Sequence, residues 1–167
     1  MFIFNNKNIA SPLDGKCIPL SDVKDEVFAN EMMGPGYAII PTCEEVVSPV
    51  NGKVSVIAPT KHCIVIVGDD GIEVMIHFGL DSFKTEGKGL AYCVEVNDTV
   101  KKNQPICKLD LSYFSKMEKE EDYKENNNFQ IMNRNSNENT SHVGKIQENS
   151  IIMRKREEPQ NFSTQKS

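Results

Sequence analysis

Short apolar or alternating runs recur from residue 1 to about residue 114, split by Gly, Pro, Asn and Asp. They read KCIPL, YAIIP, EEVVSPV, GKVSVIA, HCIVIVG, IEVMIHF, YCVEV and PICKLDL. Closely spaced short strands with frequent turn signals predict an all-β sandwich or barrel. A helical period is best seen in Lys24–Met33, where Phe28, Met32 and Met33 share a face at i, i+4, i+5, so one short helix or 3-10 turn is predicted there. Ser11-Pro12-Leu13-Asp14-Gly15-Lys16 recurs as Ser48-Pro49-Val50-Asn51-Gly52-Lys53. Asp-Gly and Asn-Gly are tight-turn dipeptides, which predicts two related hairpins packed across the sandwich. Residues 115–128 are polar and charged and read as a solvated connector. Strand character returns at Phe129–Met132, Val143–Ile146 and Ser150–Arg154, with an Asn/Ser-rich loop over 133–141. One domain over 1–156 is expected, with 115–128 and 133–141 as surface excursions. The tail 157–167 has too little apolar content to fold.

The runs HCIVIV and IEVMIHF flank GDDG and read as one hairpin. With Asp69 and Asp70 as the turn, the cross-strand pairs run 68:71, 67:72, 66:73 and out to 62:77. His62 and His77 are then directly opposed, with Cβ atoms ~4.5–5.5 Å apart. Alternation places Cys63, Val65, Val67, Ile72, Val74 and Ile76 on a core face. His62, Ile64, Ile66, Glu73, Met75 and His77 fall on the other. Ile64 and Met75 would give the two imidazoles an apolar rim, a feature of docking surfaces.

Composition narrows the function classes. The 167 residues carry a formal charge of −5 with both signs mixed, so no nucleic-acid footprint is present. The five cysteines (17, 43, 63, 93 and 107) form no CxxC, which fits reduced thiols in a cytoplasmic protein. No apolar run approaches the ~18 residues of a membrane helix, and the apolar start is too short for a secretory signal. Direct membrane insertion is not expected.

His62 and His77 are two of only three histidines; His142 lies in the polar loop and reads as inert. Three chemistries compete for the pair. Zinc takes three or four ligands, and no third His or Cys is evident on that face. A Cys–His nucleophile would need Cys63, which alternation turns toward the core. A phosphohistidine needs a neutral imidazole nucleophile near neutral pH. It also needs positioning and charge stabilisation for a loose transition state, which a second imidazole supplies.

The chain is similar to the glucose-type enzyme IIA component of the bacterial phosphoenolpyruvate-dependent sugar phosphotransferase system. The resemblance is carried by Pro59-Thr60-Lys61-His62 and Val74-Met75-Ile76-His77-Phe78-Gly79-Leu80-Asp81-Ser82. Ser11–Gly15, Val27–Ala29, Gly34–Ile39, Ser48–Gly52 and Val96–Val100 support it in order and spacing. It covers roughly residues 9–111 and continues more weakly through 129–156. The resemblance implies a compact antiparallel β-sandwich, barrel-like, with at most short helical turns. It implies a carrier that takes a phosphoryl group from HPr and passes it to a cysteine on a IIB domain of a sugar permease. His77 matches the phosphorylated histidine, acting through Nε2, and His62 its companion. Thr60 matches the residue that orients the companion ring, and the Gly79 carbonyl the group that holds Nδ1–H of the nucleophile. Asp81 matches a rim carboxylate. Phe28, Met32 and Met33 match the apolar docking surface, extended by Met75 and Phe83. Neither metal nor cofactor is implied, and a short N-terminus argues against a membrane-tethering helix. A second role found in the family is phosphorylation-gated binding that controls transporters or kinases. A phosphate adds about −1.5 to −2 charge in the centre of such a surface, enough to weaken apolar docking.

Overall fold

The turn at Asp69–Gly71 sets the frame of the molecule. The computed structural model describes residues 9–79, 82–117 and 151–157. β5 (Cys63–Gly68) and β6 (Ile72–Phe78) pair with Cys63 opposite His77, Ile64 opposite Ile76 and Val67 opposite Glu73. This corrects the expected register by one residue. The connection has three residues, Asp69–Gly71, because Gly71 takes φ +80° and donates its N–H to the Gly68 carbonyl at 2.9 Å. A left-handed glycine closing a three-residue hairpin loop is a favoured solution, and it adds one residue to the two-residue turn expected. A one-residue slip exchanges the faces of a strand. Ile64 and Ile66 therefore join the core, while Cys63, Val65 and Val67 share the outer face with His77. The faces of β6 stand as read, with Ile72, Val74, Ile76 and Phe78 inward.

β1 (Gly15–Pro19), β2 (Gly36–Pro41), β4 (Gly52–Ile57), β8 (Thr99–Val100) and β10 (Ile151–Glu157) complete a seven-stranded antiparallel sheet in the order β1-β2-β10-β6-β5-β4-β8. β3 (Glu45–Val47), β7 (Leu90–Tyr92) and β9 (Pro105–Leu109) form the second, three-stranded antiparallel sheet, in the order β3-β9-β7. Ile39, Val46, Val54, Ile64, Ile66, Val74, Ile76, Phe78, Ile106 and Leu109 fill the space between the sheets. The antiparallel sandwich expected from the strand pattern is the fold. YCVEV is a strand only at its first residue, since Cys93–Val96 leave the ladder; residues 111–117 are helical. The expected strands at 129–132 and 143–146, the loop 133–141 and His142 lie outside the described residues, as does nearly all of 115–128 and of the tail.

The repeated hexapeptides are not hairpin turns. They pair with each other about a local two-fold: Ala10 donates to the Pro49 carbonyl at 2.9 Å, and Val47 to the Pro12 carbonyl at 2.7 Å. In each, the serine hydroxyl donates to the carbonyl two residues on, Leu13 or Val50, at 2.7 Å. Gly15 and Gly52 open strands rather than turn. A Cβ on either would lie 2.2 Å from the Ile40 oxygen or 2.1 Å from the Val67 oxygen, so close backbone approach requires the glycine.

A second small cluster lies on the outer face of the large sheet. Ile18 and Ala38 are opposed on β1 and β2, and Leu20, Val23 and Phe28 cover them. Phe28 sits on α1 (Glu26–Ala29), which follows a 3-10 turn over Leu20–Asp22. Asp25 caps α1, its carboxylate accepting from the Val27 and Phe28 N–H groups at 2.8 and 3.3 Å. The register runs Ile18, Ala38, Ile152, His77, Cys63 across five strands. The helix that covers the start of this row thus brings Phe28 toward its other end.

Candidate functional site

His77 stands on β6 between two residues with 0% exposure, Ile76 and Phe78, which fix the backbone on which it projects outward. His62 is not in a strand. It ends an irregular segment, 58–62, that joins β4 to β5. Lys61 turns this segment through a left-handed φ of +59°. Its N–H donates to the Ala58 carbonyl at 2.7 Å, and the Phe78 N–H donates to the His62 carbonyl at 2.8 Å. The rings meet edge to face, with centroids 5.1 Å apart and planes at 71°. The juxtaposition is therefore made by the segment before β5, because the residue opposite His77 in the ladder is Cys63.

Thr60 reaches the His62 ring: its Oγ1 lies 2.5 Å from Nδ1, a hydrogen bond that holds the ring plane. The Phe28 ring packs on His77 edge to face, with centroids 5.0 Å apart at 61°. Phe28 is only 8% exposed, so it walls the His77 ring more than it offers surface. Gly79 takes φ +69°, a conformation that favours glycine, and its backbone lies close enough to stabilise a proton on His77. Nδ1 of His77 is buried and makes no hydrogen bond of standard length and angle among the described residues. Burial and then the nearby His62 push His77 down from 6.5 to about 4, against the smaller opposing pulls of the Gly79 backbone and the Asp25 carboxylate. Burial also lowers His62. Both imidazoles are then neutral near pH 7, and His77 is firmly so.

The remaining expected site residues divide. Met32 and Met33, 71% and 39% exposed, follow α1 beside Phe28 in sequence and present apolar surface. Met75 shares the outer face with His77 but is 6% exposed. Ile64 is corrected: at 0% exposure it is core, turned inward by the register set at Gly71, and cannot serve a docking surface. Cys63 is corrected in the opposite sense, since it faces outward with His77. Asp81 lies outside the described residues. Phe83 falls in a 3-10 turn, Ser82–Thr85, and its side chain lies outside the description.

Three contributors escaped the sequence reading. Asp25 could have been found as an N-cap residue just before an apolar pair. Cys63 required the register. Tyr92 carried no signal, because its hydroxyl donates to a main-chain carbonyl, that of Lys61, 31 positions away, at 2.8 Å.

A buried neutral imidazole beside a more open one suits transient covalent attachment of an anion to the first, with charge compensation by the second. Two ring nitrogens alone fall short of the three or four ligands that zinc takes. Among the described residues no group of three or more His, Cys, Asp or Glu converges on one point, and no helix is long and apolar enough to cross a membrane. All five cysteines are free thiols.

Residues 7–125 match the model of the phosphoenolpyruvate-dependent sugar phosphotransferase system family EIIA 1. A glucose-specific EIIA component of the PTS system from Staphylococcus epidermidis is 42% identical over 110 residues, 66% of this chain and 66% of that protein. A glucoside-specific EIICBA component from Staphylococcus carnosus is 48% identical over 105 residues, 63% of this chain. The chain spans only 15% of that longer relative. Among solved structures, the glucose permease IIA from Mycoplasma capricolum superposes with a TM-score of 0.64 at 35% identity, covering 70% of this chain and 77% of that one.

Proposed function

This chain belongs to the EIIA 1 family of the phosphoenolpyruvate-dependent sugar phosphotransferase system, and on that premise we propose that it carries a phosphoryl group on His77. The donor is HPr and the acceptor is a cysteine of a permease IIB domain. The observation that carries this reading is the neutral, buried His77 ring with His62 at 5.1 Å.

In the first step the Nε2 lone pair of His77 attacks the phosphorus of the donor phosphohistidine. The new N–P bond forms as the donor N–P bond breaks, and its electron pair returns to the donor ring. The His77 ring gains positive character, and the Gly79 backbone, which favours a proton on that ring, offsets it. The arriving phosphoryl group brings about −1.5 to −2 charge. That charge raises the proton affinity of His62, which Thr60 keeps in place. In the second step a cysteine thiolate attacks phosphorus, the Nε2–P bond breaks, and the lone pair returns to His77. Both transfers rest on positioning and charge stabilisation, which the pair supplies. Support for a IIB acceptor comes from relatives that are EIICBA components, with the A unit in one chain with C and B units. The exposed Val27, Met32 and Met33 offer apolar surface on and just after the helix that carries Phe28.

The test follows radiolabelled phosphate from phosphoenolpyruvate through enzyme I and HPr. His77→Gln should take up none. His62→Gln should still accept the label but pass it on poorly. Uptake by His77→Gln, or equal loss of both half-reactions in His62→Gln, would remove these assignments.

A further inference from the structure

His62 owes its place to a short irregular segment in which the residue just before it, Lys61, has a left-handed backbone, disfavoured for any side chain with a Cβ. Such a conformation persists only where its surroundings hold it. Lys61 is held in three ways. Its N–H donates to the Ala58 carbonyl at 2.7 Å. Its aliphatic stem lies across Gly87, where a Cβ would come within 2.8 Å of Lys61 Cδ. Its carbonyl accepts the Tyr92 hydroxyl at 2.8 Å. Tyr92 ends β7 in the small sheet, and its ring packs edge to face on Phe78, with centroids 6.1 Å apart at 85°. Phe78 is the residue after His77. One tyrosine therefore spans from the backbone neighbour of one histidine to the backbone neighbour of the other. Burial pushes its phenol well above the usual range, so it stays a hydroxyl donor throughout the physiological range.

We propose that Tyr92 is a positioning residue for phosphoryl transfer: by holding the Lys61 carbonyl it fixes the turn that sets the His62 ring beside His77. The inference rests on the carrier reading for its kinetic consequence, but not for its geometric one. Tyr92→Phe keeps the packing on Phe78 and removes only the hydroxyl. The His62 ring then loses its fixed place, and its charge weighs less on His77.

The experiment is a titration of both rings by NMR on the full chain, with the two phosphotransfer half-reactions measured in parallel. In Tyr92→Phe the midpoint of His77 should rise from about 4, and transfer from His77 to the IIB acceptor should slow about fivefold to tenfold, the yield of one hydrogen bond. Uptake from HPr should change less. In a His62→Gln background the same substitution should do nothing to the His77 midpoint, an outcome that a general loosening of the fold would not give. An unchanged His77 midpoint in Tyr92→Phe, or an equal shift in both backgrounds, overturns the proposal. Failure of the wild type to take up phosphate would instead sink the carrier reading, while the titrations would still decide the role of Tyr92.

Discussion

His77 and His62 lie 5.1 Å apart, yet opposite kinds of structure hold them. His77 belongs to a central strand, flanked in sequence by two fully buried side chains and in the sheet by β5 and β10. His62 belongs to a connection, placed by a left-handed lysine, a threonine hydroxyl and a tyrosine hydroxyl. The difference matches the demands of the proposed chemistry. A covalent nucleophile needs a fixed, desolvated position. Its companion must meet a charge that comes and goes, and a ring held by a few polar contacts at the surface can follow it.

The comparison implies that damage to the two sides has different consequences. Breaking the sheet side should cost the fold. Phe78→Ala empties a fully buried aromatic site and removes the ring on which Tyr92 packs. A loss of about 4 kcal/mol is expected by chemical denaturation. A loss under about 1 kcal/mol would mean that the core does not hold His77.

Protonation tests the same side more gently. His77 is depressed from 6.5 to about 4 in the folded chain, so the unfolded chain binds more protons between those values. Its contribution to stability is full above pH 6.5 and falls as pH drops through about 4. Integrated over that window, it amounts to on the order of 3 kcal/mol. The stability difference between the wild type and His77→Gln should narrow or reverse across this range; a constant difference would show that the ring is not desolvated.

The loop side should yield the smallest effect, confined to transfer. Thr60→Val removes the hydrogen bond to His62 Nδ1 with little change of shape. Stability should hardly move, while onward transfer from His77 slows about fivefold, equivalent to about 1 kcal/mol. A matching loss of stability would make Thr60 a structural residue.

The legibility of the sequence follows the same division. β6 could be read because Glu73 and His77 interrupt Ile72, Val74 and Ile76, so its two faces differ in chemistry. β5 could not, because CIVIV is apolar on both faces and alternation there carries no information. Its register rests on one glycine after two aspartates, and a two-residue turn fitted the letters as well as the three-residue one that forms. Ile64 and Cys63 exchanged places for that reason alone. The two histidines meet although the expected cross-strand pairing does not occur, since His62 lies one residue before β5 and beside the end of β6. The repeated hexapeptides announced a relationship but not its form. Glycine required by close approach and glycine required by a turn look alike in sequence. Tyr92 was invisible, because main-chain carbonyls leave no pattern for a distant hydroxyl to match.

The most direct measurement locates the phosphorus itself. The 15N-labelled chain, incubated with phosphoenolpyruvate, enzyme I and HPr, should show one phosphorus coupled through a single bond to Nε2 of His77. Coupling to Nδ1 of His77 or to either nitrogen of His62, or no bound phosphorus at all, would contradict the division of roles between the two rings.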